Sequence, residues 1–100
     1  MNANANESLS FIVNGLNAAI SSRPGFISSY PDLVEVVGRL ELAQRCPPGT
    51  DKLSLMRKAR QSIRFLSVTD PIGRADRYLV LNAIDLASIY AYDEMVTASN

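Results

Sequence analysis

Apolar residues recur along this chain three and four positions apart, the spacing that gathers side chains on one face of an α-helix. Leu9, Ile12, Val13, Leu16, Ala19 and Ile20 set the first such stripe, with serines and asparagines between them. It predicts an amphipathic helix over residues 7–22, with Asn4 or Asn6 as its cap. Arg23-Pro24-Gly25 ends it, because a residue before proline is pushed out of the α region.

A second start signal lies in Ser28-Ser29-Tyr30-Pro31-Asp32. Proline suits the first helical position, and Asp32 and Glu35 suit the positive end of the helix dipole. Leu33, Val36, Val37, Leu40 and Ala43 form the apolar stripe of a helix over 31–45, which Cys46-Pro47-Pro48-Gly49 stops. Thr50 or Asp51 is the expected cap of a third helix, over 52–66, with Leu53, Met56, Ala59, Ile63 and Leu66 inward. Thr69-Asp70-Pro71 repeats the cap-then-proline signal and opens a fourth, long helix over 71–96. Strand-length alternation is missing. Four helices with short connections pack antiparallel to their neighbours, so the expected architecture is a single-domain, all-α four-helix bundle. Its domain runs over 7–97, between flexible ends at 1–6 and 98–100.

The fourth helix breaks the one-sided rule. With Ile72 at zero on a helical projection, Ile72, Leu79, Ala83, Leu86 and Tyr90 cluster within about 40° and make the expected main core stripe. Val80, Ile84, Ala87 and Ala91 form a second stripe about 60–120° away, and Tyr78, Ile89 and Val96 a third near 240–260°. A helix apolar on so many sides is buried on several of them. If the third and fourth helices fold back about the 67–70 turn, positions summing to about 137 face each other. Lys52 then lies opposite Asp85. The fourth helix overshoots the third by roughly eleven residues, or about 16 Å. The overhang carries Leu86, Ile89, Tyr90, Tyr92, Met95 and Val96, to be covered either by the first two helices within the bundle or by a second copy or another protein.

Charge adds a second pattern. Ten basic and ten acidic residues balance, but residues 1–51 carry −2, residues 52–77 carry +5 and residues 78–100 carry −3. Arg57, Arg60 and Arg64 project to one side of the third helix as a basic ridge, either a solvated flank with local ion pairs or a contact for an acidic protein surface or for phosphates. No aromatic residues interleave them for base stacking, and their helix lacks the glycine turn of a helix-turn-helix. Nucleic acid is therefore the less favoured partner. Asp93 and Glu94 stand in the last turn of the fourth helix, where the dipole disfavours them. They suit either a solvated end or a basic group elsewhere.

Composition removes most chemistry. There is no histidine and no tryptophan, and one cysteine, Cys46, excludes both an internal disulfide framework and a Cys/His zinc site. Without histidine, Cys46 has no activating base and reads as a partly buried structural residue. Asp85 projects to the polar side, and Asp32 and Glu35 read as helix-end residues. The five glycines form no phosphate loop. Gly15 and Gly38, inside helices, suggest close helix approach or simple tolerance. The first residues lack the basic region of a signal peptide, and the longest apolar run is interrupted by Asn82 and Asp85. The expectation is a soluble, cytoplasmic, non-catalytic protein with no catalytic, metal or cofactor site. It acts by binding another protein as an adaptor, inhibitor or anti-activator, of the type mobile elements carry to block a larger complex. The same reading gives a homodimer through the fourth helix, with Arg57, Arg60, Arg64, Leu86, Ile89, Tyr92 and Met95 as contact residues. The alternative is a nucleic-acid-binding regulator using the basic ridge.

Overall fold

A computed structural model of the chain describes residues 4–22, 32–65 and 71–99. Four α-helices account for nearly all of them: α1 Ala5–Ser22, α2 Asp32–Arg45, α3 Thr50–Arg64 and α4 Pro71–Ser99. Each helix packs on the next, and α4 closes the ring on α1, giving the expected four-helix bundle. The molecule measures 46 × 25 × 20 Å. The 29 residues of α4 would span about 43 Å at 1.5 Å per residue, so this one helix runs the length of the bundle.

The core follows the stripes on three helices. On α1, Leu9, Ile12, Val13 and Leu16 are buried and Ala19 and Ile20 half-buried. On α2 all five expected positions, Leu33, Val36, Val37, Leu40 and Ala43, are buried. Met56, Ala59 and Ile63 are buried on α3, while Leu53 packs half-buried against them. The expected signals at Ser28–Asp32 and Thr69–Asp70, and the side chains of Leu66 and Ile72, lie outside the described residues.

Helix α4 is turned relative to expectation. Its buried residues are Ile84, Ala87 and Ala91, flanked by half-buried Val80. The expected main stripe instead lies on the rim: Leu79 is 67% and Leu86 48% exposed, and Ala83 and Tyr90 are half-buried. The rotation has a packing reason. Ala87 and Ala91 let neighbouring helices approach closely, and Ile84 fills the space between, whereas leucines there would hold the helices apart.

The α3–α4 register also differs. Arg60, not Lys52, reaches Asp85, with Nε to Oδ1 at 2.6 Å. Numbers 60 and 85 put facing positions at a sum of about 145, which brings Thr50 level with about residue 95. The C-terminal overhang past α3 is therefore about four residues, not eleven. On the other side, Ala5 N–H donates to Glu94 Oε1 at 3.0 Å. That contact sets α1 against α4 at a sum of about 99 and brings Ser22 level with about residue 77. The two registers agree: Lys52 and Asn6 both fall level with about residue 93, and Lys52 Nζ donates to Asn6 Oδ1 at 2.6 Å.

A local signal explains the start of α1 but not that of α3. Asn4 caps α1, its Oδ1 accepting the Glu7 N–H at 2.8 Å. Neither Thr50 nor Asp51 caps α3. Its cap residue is Gly49 in an extended conformation, without a side-chain cap bond. Gly15 and Gly38 do not mark close approach either, because a Cβ at each would meet nothing within 4 Å.

Candidate interaction surface

One end of the bundle is a polar clasp that joins all four helices. Glu94 of α4 receives the first N–H of α1, placing a carboxylate at the positive end of that helix. This accounts for an acidic residue in the last turn of α4: it serves the start of α1. Asp93, one position earlier, is exposed. Lys52, 1% exposed, lies in the same clasp. Its ammonium donates to Asn6 Oδ1 and, at 3.1 Å, to the Cys46 carbonyl just past the end of α2. Gln44 Nε2 donates to the Asn6 carbonyl. The burial of Lys52 was readable from its position, because on the α3 projection it falls within the arc of Met56, Ala59 and Ile63. Its charge argued against that reading. Cys46 itself is half-buried.

The basic ridge is only partly free. Arg60 is held by Asp85 through two hydrogen bonds. The Asp85 hydrogen bond first, and its negative charge second, raise the Arg60 pKa, against a smaller opposing effect of burial. Asp85 is thus a structural partner for α3. Arg57 and Arg64 are exposed, and the Arg64 guanidinium lies 5.7 Å from the centroid of the Phe65 ring, within cation–π range. Arg39 is also occupied, bonding Glu35 within α2 and Ser62 of α3.

The outer face of α4 is a different kind of surface. Tyr78, Leu79, Leu86, Ile89, Tyr92 and Val96 are all exposed, from 41% at Val96 to 69% at Tyr78. Three of the expected contact residues, Leu86, Ile89 and Tyr92, belong to this stripe. The fourth, Met95, is half-buried at its edge. Exposed Arg57 and Arg64 lie on α3, which packs beside α4. On the α1 side stands Phe11, 80% exposed. Between α1 and α4 runs a shallow groove of about 300 Å³, lined by Glu7, Ser8, Phe11, Ala83 and Leu86. Phe11 did not stand out in the sequence because it projects about 150° from the centre of the α1 stripe, alone among serines and asparagines.

Among the described residues, no three metal-ligating side chains cluster, and no helix is long and apolar enough to cross a membrane. What the surface can do is lose water against a complementary apolar face. Comparison with family models, with curated proteins and with solved structures gave no match.

Proposed function

We propose that this chain is a small non-catalytic helical protein that works by binding another protein, in the manner of an adaptor, inhibitor or anti-activator. Its binding surface is the outer face of α4 with Phe11 beside it. The observation that carries this reading is the gathering of exposed apolar residues on that face. Six large apolar side chains lie exposed along one helix, from Tyr78 to Val96 or over about 27 Å, with Asn82 and Asp93 exposed among them. Scattered apolar residues need no explanation on a protein surface, but a concentration of them along one helix marks an interaction site. Arg57 and Arg64 on the neighbouring α3 suit a partner with acidic residues around an apolar centre, the usual anatomy of an interface.

The nucleic-acid alternative has less support, since Arg60 of the ridge is engaged by Asp85. The test is affinity purification with wild-type chain and with Ile89→Asp, followed by mass spectrometry. Ile89 is 59% exposed, so the variant should fold, which circular dichroism checks. A protein held by the wild type and lost with Ile89→Asp supports the proposal. Salt-sensitive retention of random DNA or RNA by the wild type, abolished by Arg57→Glu with Arg64→Glu, supports the alternative instead.

A further inference from the structure

The exposed seam of α4 has a symmetry that identifies one occupant. Its central line runs Leu79, Asn82, Leu86, Ile89, Asp93 and Val96, all exposed. The spacings are three, four, three, four and three, the a/d repeat of a helix–helix seam. The order of types is apolar, polar, apolar, apolar, polar, apolar, which is the same read in either direction. An isologous two-fold interface requires this property of a surface, because residue i must face j while j faces i. Laid antiparallel on itself about a point between Ala87 and Ser88, the seam pairs Leu79 with Val96 and Leu86 with Ile89. It pairs Asn82, a donor and acceptor, with Asp93, an acceptor. A parallel arrangement would instead set Asp93 against Asp93 and Asn82 against itself.

Two further observations fit the same dyad. By the α1–α4 register, Phe11 stands level with about residue 88, almost on the dyad. Phe11 of one copy therefore meets Phe11 of the other beside the groove. The area is also sufficient. Phe11 and the six exposed apolar side chains of α4 are on average about 60% exposed. At roughly 200 Å² for each large side chain, they present on the order of 800 Å², close to the share one partner contributes to a stable interface. Arg57 of the two copies comes to the same side of the dyad, but on a solvated rim where like charges are screened.

We infer that the outer face of α4 is the interface of an antiparallel, two-fold homodimer with Phe11 at its centre. This rests on reading that face as a protein-binding surface, and it names the partner as a second copy. The test measures dimer dissociation by sedimentation for the wild type and two variants with exposed substitutions. Wild type should dimerise at micromolar concentration. Ile89→Asp should weaken the dimer at least a hundredfold. Asn82→Lys places an ammonium opposite Asp93 twice over and should tighten the dimer roughly three- to tenfold. In a parallel dimer the same change sets lysine against lysine and loosens it, an outcome that overturns the inference. Disulfide trapping gives an independent readout in a Cys46→Ser background. Leu79→Cys mixed with Val96→Cys should cross-link, and Leu79→Cys alone should not, whereas cross-linking of Leu79→Cys alone overturns the antiparallel register. A strict monomer that still holds a different protein through Ile89 overturns the second-copy inference and leaves the binding proposal standing. A strict monomer that holds nothing overturns both.

Discussion

Lys52 is the most constrained polar residue in the molecule. Its ammonium is buried, and its recorded partners are two neutral oxygens, the Asn6 amide and the Cys46 carbonyl. A buried cation is costly unless hydrogen bonds replace its water. The carbonyls at the end of α2 help, because the negative end of that helix points at the site. Removing the ammonium takes the donor away from those two oxygens at a partly buried place. Lys52→Met keeps the stem and loses the charge, and should cost about 1–3 kcal/mol. Lys52→Ala also opens a cavity and should cost more, about 3–5 kcal/mol. Urea denaturation of the two variants checks the order, and a Lys52→Met chain as stable as wild type refutes the account. Gly15 and Gly38 predict the opposite sign. Both are exposed, mid-helix and free of neighbours at the Cβ position, so their cost is only the entropy of the unfolded chain. Gly38→Ala should stabilise by about 0.5–1 kcal/mol, and Gly15→Ala by a similar amount. A loss of stability in either would mean that an unseen contact needs the missing side chain.

Among the elements, α4 separates what a periodic pattern reveals from what it hides. Its inward line, Val80, Ile84, Ala87 and Ala91, makes a direct prediction. Ile84→Ala should destabilise by about 2–5 kcal/mol, and Ala87→Leu by about 1–3 kcal/mol through overpacking. Leu79→Gln, on a side chain 67% exposed, should stay within about 0.5 kcal/mol of wild type. A large loss for Leu79→Gln together with a small one for Ile84→Ala would restore the orientation that residue size suggests. The α2 core was legible because Leu33, Val36, Val37, Leu40 and Ala43 gather on one face, with Val34 and Leu42 exposed outside it, so every expected position is buried. On α4 apolar residues surround the helix, and the larger ones, Leu79 and Leu86, drew the reading to the wrong side. Helix packing selected the smaller residues, for a reason that lives in the neighbouring helices and not in the α4 sequence. The charged contacts were hidden differently. Arg60 with Asp85 and Glu94 with the start of α1 depend on the offset between helices, which rests on a connection that the turn residues do not fix. A shift of eight positions in the facing sum, from about 137 to about 145, moved Lys52 from a place opposite Asp85 to one level with about residue 93, and shortened the overhang to about one turn.

At the scale of the whole molecule, the 100-residue bundle leaves uncovered an apolar surface comparable to half of a stable interface. A chain of this length buries about two-thirds of the surface its unfolded form exposes, so its stability has little margin. Closing the α4 face against a second copy adds buried apolar area that only the folded state can supply. Association and folding are then linked, because the unfolded chain does not form the seam. Stability must rise with protein concentration. Zero net charge places no long-range repulsion in the way. The midpoint of thermal unfolding should therefore climb by several degrees between low and high micromolar concentration for the wild type. Ile89→Asp should remove that climb while leaving the low-concentration midpoint nearly unchanged, since Ile89 contributes to the seam and not to the core. The two parts of the result test different links. A midpoint that ignores concentration in the wild type breaks the coupling between seam and stability. A low-concentration midpoint that falls sharply with Ile89→Asp would place Ile89 in the core of the single chain, and the outer face of α4 would no longer be free to receive a partner.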